Sequence, residues 1–220
     1  MIASKRLFLI CGFLSAGVMA ALSLPAHAAD ASAPDLLIRQ LSLETLEAVK
    51  SDKAIQGGDV QRIITLVDTK VMPHVNFQRM TSSAVGRFWR QATPEQQKRL
   101  QEEFKTLLVR TYAGALTQVK DQSIALKPLR ASPTDTEVVV KTEIRGKGDP
   151  IQLDYRLENN AGVWKIYDVN VLGIWLADQY RNSFAQEIGA NGIDGLIKTL
   201  VEKNQKASGA NTANASGAKA

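Results

Sequence analysis

The chain has 220 residues, 45% of them hydrophobic, with 27 Lys and Arg against 22 Asp and Glu for a formal charge of +5. Its basic residues are scattered among acidic ones, with no consecutive basic block and no aromatic-studded basic strand, which argues against a nucleic-acid binder. The single cysteine, Cys11, lies in an N-terminal apolar run, so the chain beyond it has no disulfide, thiolate nucleophile or cysteine-based metal site.

Lys5 and Arg6 precede an almost wholly apolar stretch from Leu7 to Leu24, closed by Pro25 and then Ala26-His27-Ala28. This pattern predicts a cleavable export signal over residues 1–28 and a periplasmic protein, rather than a retained anchor. Cleavage would remove Cys11 and leave 192 residues, a length that suits one domain over 29–205. Residues 206–220 are Ala, Ser, Asn, Gly, Lys and Thr without apolar periodicity, which predicts an unstructured tail.

From Pro34 to about Ser51, leucines recur near helical spacing. Gly57-Gly58 punctuates, and Asp59 is placed to cap a second helix reaching Met72, which Pro73 ends. A short helix follows between Asn76 and Trp89, with a turn near Gly86. Thr93-Pro94-Glu95-Gln96 has the residues of a capping box with proline at the first helical position. It opens a helix of about six turns whose apolar face runs from Leu100 through Phe104, Leu108 and Tyr112 to Leu116.

The period then changes from helix to strand. Ser123–Arg130 alternates weakly, and Glu137–Arg145 is rich in valine. Ile151, Leu153, Tyr155 and Leu157 alternate with Gln152, Asp154, Arg156 and Glu158, as a half-buried antiparallel strand does. Asn159-Asn160-Ala161-Gly162 is turn chemistry, and Val163–Val171 forms the next strand. Two helices follow, over about Gly173–Ile188 and Ile193–Lys203. The expectation is an α+β fold: a curved antiparallel sheet of four strands, with room for a fifth, packed by N-terminal and C-terminal helices.

The residues supply little for catalysis. His74 is the only histidine after the export signal, and its place at a helix end suits a hydrogen bond there. No metal-ligand spacing, nucleophile elbow or phosphate-binding glycine loop is present, so no catalytic residue, metal or cofactor is assigned. Asp154 and Asp168 fall on adjacent strands, where they pair with Arg156 or Lys165 or, alternatively, serve as an acid–base site. Aromatic residues are plentiful on the helices and strands, and they would serve a dry core or an apolar cavity equally well.

Several segments carry a resemblance, in their order and spacing. They are Val71-Met72-Pro73-His74-Val75-Asn76-Phe77, Gly86-Arg87-Phe88-Trp89-Arg90 leading into Thr93-Pro94-Glu95-Gln96, then Phe104, Leu108 and Thr111-Tyr112-Ala113, and Trp164-Lys165-Ile166-Tyr167-Asp168-Val169 continuing through Gly173 to Tyr180-Arg181 and Phe184. From about Pro34 to Asn204 the chain resembles the MlaC, or toluene-tolerance Ttg2, family of periplasmic phospholipid-binding proteins. Many members have serine where this chain has Trp175.

The resemblance implies a lipid carrier, not an enzyme. It would hold acyl chains in an apolar cavity between helices and sheet, with phospholipid as cargo and no cofactor. It would act as a monomer, shuttling lipid between an outer-membrane lipoprotein–porin complex and an inner-membrane ABC transporter bearing an MCE ring, and so maintain outer-membrane lipid asymmetry. Phe77, Met80, Phe88, Leu108, Tyr112, Tyr155, Val169 and Trp175 are expected to line or border the cavity, with Tyr180 and Phe184 closing it. Arg90 and Arg181 are expected at its mouth, facing a head group, or else in structural ion pairs. The alternative is a nuclear-transport-factor-like α+β enzyme acting on an apolar substrate, with Asp154 or Asp168 deep in the pocket.

Overall fold

The structure of the protein, a computed structural model, describes residues 33–217 except residue 133, with side chains as far as residue 207. The export signal expected over 1–28 lies outside the described residues.

Helix α1, Pro34–Ser51, starts with proline, whose missing N–H costs nothing in a first turn, and buries Ile38, Leu41 and Val49. Asp52 then caps the four-residue α2, Lys53–Gln56, and Asp59 caps α3, Val60–Leu66, by accepting the Arg62 amide at 3.0 Å. The sequence predicts that this helix continues to Met72. Instead it widens into a π turn over Val67–Val71 and tightens into a 3-10 turn over Met72–His74. Pro73 explains the irregularity: it has no N–H to donate, and its ring crowds the carbonyl four residues back. Helix α4, Phe77–Val85, is capped by Asn76 and ends at Gly86, whose φ of 65° needs glycine; a 3-10 turn, Gly86–Gln91, follows. The capping box of Thr93 and Gln96 is formed, and α5 runs from Pro94 to Thr117.

Five strands then make an antiparallel meander in chain order: β1 Ser123–Leu126, β2 Glu137–Arg145, β3 Ile151–Asn160, β4 Val163–Val171 and β5 Ile174–Trp175. β1 stops short of its predicted end at Arg130, because Pro128 cannot donate to a ladder. β5 occupies residues the sequence assigns to a helix start; Leu172-Gly173 turns the chain back on β4 before α6, Leu176–Gly217, begins. Gly192, at φ 72° and ψ −178°, breaks α6 into two arms, in agreement with two predicted helices. The helical backbone passes Lys206, where the unstructured tail is predicted to start, without a break.

The result is an α+β fold with helices laid on one face of a curved open sheet. A register shift in the β3–β4 ladder sets which side chains face them. Arg156 pairs with Asp168 and Leu157 with Ile166, so Tyr167 is an extra residue on β4. Such a bulge lets Ile166 and Val169 both point to the helices, while Tyr167 and Asp168 share the outer face.

Candidate functional site

The interior is divided rather than continuous. One cluster joins α4, α5 and α6 through Phe77, Met80, Leu100, Phe104, Leu108, Phe184 and Leu200. A second joins α1 to the sheet through Ile38, Leu41, Val138, Val140, Leu157 and Ile166. A third packs the end of α1 and the short helices on the far half of α5. Among the described residues, only partly buried Val75 and Val169 pack against both the first and the second.

Along this seam the apolar side chains are half-buried. Val71 and Met72, adjacent in sequence, face different clusters because the π turn and the 3-10 turn meet between them. Leu107 and Tyr112 come from α5, and Tyr155, Val169 and Val171 from the sheet.

Tyr155 is the informative member. It sits deep enough for burial to push its phenol up to about 12, against a weaker opposing hydrogen bond with Ser42 of α1. Yet its side chain keeps accessible surface. From β3 it pairs with Val169 across the ladder and so borders the seam. Burial also raises the phenols of Tyr112 and Tyr180, the latter opposed by a hydrogen bond with Thr111.

Of the residues expected to line a cavity, the fold brings nine together. Phe77, Met80, Leu108 and Phe184 are buried in the helical cluster; Phe88, Tyr112 and Tyr180 pack against it. Val169 bridges the two clusters, and Tyr155 packs on the sheet-side one. Phe104, which the sequence places on the same helix face, is the hub: its ring lies 5.8 Å from Phe77, 5.0 Å from Tyr180 and 5.2 Å from Phe184. Such tilted and edge-on aromatic pairs contribute about 0.5–1.5 kcal/mol each beyond area burial.

Trp175 does not join them. It pairs with Asn170 across the β4–β5 ladder, so it shares the outer face, where the Arg156 guanidinium lies 3.8 Å from its ring centroid. Arg90 is exposed on the 3-10 turn. Arg181 is engaged in structure: its Nε donates to the Ser83 carbonyl at 3.0 Å, and Nη1 lies 3.1 Å from Asp178. Seam residues outside the predicted lining set are Val71, Met72, Val75, Leu107 and Val171. The first three sit in or beside the irregular backbone between α3 and α4, where no period marks a face.

The two carboxylates considered for acid–base work lie on the outer face, away from the seam. Both are buried rather than solvent-facing, at 3% exposure for Asp154 and 1% for Asp168. Asp154 accepts the Thr142 amide at 3.1 Å and the Gln152 side chain at 2.6 Å. Asp168 accepts the amides of Val169 and Ala177 and pairs with Arg156 at 3.0 Å. Burial raises the Asp168 carboxyl, and these amides and the Arg156 charge oppose the rise. Nearby, Arg79 pairs with Glu137 and Glu158 and stacks on Tyr167, fastening α4 to the sheet edge. Each of these groups is occupied in holding elements together.

Two open hollows lie on the surface, the second of which touches the seam at Val75. One of about 620 Å³ is lined by Ser51, Asp52, Ile55, Arg62 and Thr69, and one of about 520 Å³ by Val75, Asn76, Glu158 and Lys165. Neither contains any of the predicted lining residues. Among the described residues, no group of three or more His, Cys, Asp or Glu is placed to hold a metal, and no helix is long and apolar enough to cross a membrane.

Comparison with known proteins gives one consistent answer. The family model described as MlaC protein matches residues 39–202. The toluene tolerance protein ttg2D of Pseudomonas putida is 29% identical over 171 residues, covering 77% of this chain and 79% of its own. The intermembrane phospholipid transport system binding protein MlaC of Haemophilus influenzae is 24% identical over 173 residues, covering 77% and 81%. A solved structure of a phospholipid-binding protein from Ralstonia solanacearum, in complex with a phospholipid, superposes with a TM-score of 0.75 at 44% identity, covering 78% of this chain and 96% of that one.

Proposed function

The chain belongs to the MlaC family, and from that premise we propose that it is a periplasmic carrier that holds phospholipid acyl chains in the seam between its helical layer and its sheet. The observation that carries the reading is the divided interior: two separate apolar clusters meet at Val75 and Val169, and partly accessible Tyr155 packs on the sheet-side cluster and pairs with Val169 across the β3–β4 ladder. The lining set is Phe77, Leu107, Tyr112, Tyr155, Val169 and Tyr180, with Val71, Met72 and Val75 along the irregular segment between α3 and α4. Trp175 is not part of it.

The energetics fit a container. Each acyl methylene withdrawn from water contributes about 0.8 kcal/mol, so a diacyl lipid crosses an aqueous compartment only if its chains stay covered. A seam bordered by apolar and aromatic side chains covers them without requiring contacts to the head group, and release needs only separation of the layers. The phospholipid-bound relative, similar over most of this chain, supports the same cargo here. The intermembrane transport role named for the Haemophilus influenzae relative supports a shuttle between the two membranes. Its docking partners would be an MCE-bearing ABC transporter and an outer-membrane lipoprotein–porin complex.

Native mass spectrometry of protein purified from a periplasmic extract tests the reading. A mass shift matching phospholipid, lost on organic extraction, is the expected result. A bare-protein mass that does not change after incubation with phospholipid vesicles would sink it.

A further inference from the structure

Three large aliphatic side chains stand exposed at one end of the sheet: Leu172 at 65%, Ile174 at 55% and Ile151 at 45%. The strand pairing gathers them. The Leu172 amide donates to the Gln152 carbonyl at 3.0 Å, Ile174 pairs with Val171, and Val171 pairs with Leu153, two residues on from Ile151.

Leu172 is also conformationally out of place. Leu172 and Gly173 form the two-residue β4–β5 turn with φ of 52° and 90°, a geometry that favours Asn, Asp or Gly at its first position. The β3–β4 turn has the same form but places the small Ala161 there, at φ 51°. A leucine held in the left-handed region and turned to solvent weakens the fold and gains no packing in return. Strain kept at such a cost marks functional positions.

The surroundings indicate what the tip meets. From Val169 to Ala177 there is no charged residue, and Trp175, next to Ile174 in sequence, turns to the opposite face of the sheet against Arg156. At the same end of the sheet, Arg145 closes β2 and pairs with Glu143 at 3.0 Å, and the β2–β3 loop adds Lys147 and one acid, Asp149. An uncharged run carrying exposed aliphatics, with Lys147 at the same end of the sheet, has the composition of segments that enter a membrane interface. Within Val169–Ala177 no charge is present to orient a protein partner.

We propose that this tip contacts the lipid bilayer directly, with Leu172, Ile174 and Ile151 entering the head-group boundary and Lys147 meeting anionic phosphates. The inference rests on the carrier reading, because Val169 and Val171 of the seam continue into Leu172 without interruption. A lipid leaving the bilayer would therefore meet apolar side chains along its path.

The test compares wild-type protein with Leu172→Asn and with Leu172→Asn combined with Ile174→Thr. The measurements are flotation with vesicles of phosphatidylethanolamine and phosphatidylglycerol, uptake of a fluorescent phospholipid from those vesicles, and thermal unfolding. Asparagine tolerates the left-handed region, so Leu172→Asn is expected to raise Tm by about 2–4 °C. Flotation and uptake are expected to fall about tenfold or more, the loss that goes with one large aliphatic anchor. Lipid already bound on purification, read by native mass spectrometry, should be unchanged in the variants.

Wild-type protein that neither floats with the vesicles nor takes lipid from them overturns the inference, as do variants that match wild type in both. A defect seen only with isolated inner- or outer-membrane fractions, and not with pure lipid vesicles, would assign the tip to a protein partner and also overturn it. Wild-type protein that never carries lipid defeats the carrier reading itself, a separate outcome from loss of the tip's role.

Discussion

The carboxylate of Asp168 accepts the amide N–H of Ala177 at 3.1 Å, so strand β4 supplies the cap for the first turn of helix α6. The other oxygen takes the Arg156 guanidinium at 3.0 Å, and Arg156 in turn lies over Trp175. One buried side chain thus fixes the direction in which α6 leaves the sheet and closes over the helical cluster. Asp168→Ala leaves Arg156 without its buried partner and the helix start uncapped, for an expected loss of about 3–5 kcal/mol. Asp168→Asn keeps an acceptor for the amides and should cost less, about 1–3 kcal/mol. Urea midpoints at unchanged m-value check both, and equal losses for the two variants would contradict the capping account.

Tyr155 gives the protein an alkaline limit. Its phenol titrates near 12 in the fold against 10.0 in a free chain. Between those values the unfolded chain has released a proton that the folded one retains, so stability falls as pH rises through that window. The expected contribution is about 2–3 kcal/mol at its upper end and nil below pH 9. Urea unfolding at pH 9 and pH 11.5 should show this share of the loss in wild type and its absence in Tyr155→Phe. An equal alkaline loss in both proteins would place Tyr155 nearer to solvent than the structure does.

Val169 and Phe104 should separate cargo from stability. Val169 bridges the two clusters at the seam, so Val169→Trp is expected to fill the gap and abolish lipid loading at modest cost in Tm. Phe104 is fully buried at the centre of the aromatic cluster, and Phe104→Ala is expected to cost about 3–5 kcal/mol. Lipid stoichiometry by native mass spectrometry, set beside thermal unfolding, distinguishes the two effects. Full loading of the Val169 variant would move the cargo site away from the seam.

Gly189 and Gly192, three residues apart on α6, should respond to alanine in opposite directions. Neither would place a new Cβ within 4 Å of another atom, so packing does not decide the outcome. Gly189 is helical and exposed, and Gly189→Ala should stabilise by about 0.5–1 kcal/mol. Gly192 holds φ 72° and ψ −178°, a region essentially closed to side chains, and Gly192→Ala should destabilise by about 1–3 kcal/mol. Chemical denaturation of the two variants provides the check.

Much of the fold was legible because local rules and tertiary packing agree there. The Thr93–Gln96 box, the Gly86 stop and the alternation from Ile151 to Leu157 each follow from a single short-range cause. The π turn at Val67–Val71 was not legible, since a proline announces an end without saying how the preceding turns adjust to it. Nor was the Tyr167 bulge: one extra residue on β4 is invisible to a period-two reading until its partner strand is present. The side to which Trp175 turns follows from a two-residue strand too short to leave a pattern. Within the candidate site, the regular helices placed Phe77, Leu108 and Phe184 on one apolar side, and the irregular segment hid Met72 and Val75. The burial of Asp154 and Asp168 was masked for another reason, because a strand read alone gives its polar residues to solvent, whereas here hydrogen-bond partners accompany them inside.

The partition of the interior also has a mechanical side. The two apolar clusters share only Val75 and Val169 among the described residues, and any free volume left at such a junction disappears when a chain unfolds. Hydrostatic pressure acts on that difference, favouring whichever state occupies less space. A seam filled by acyl chains offers pressure little to remove, and an empty one offers more. The compressive load at which the protein gives way would then report how full it is.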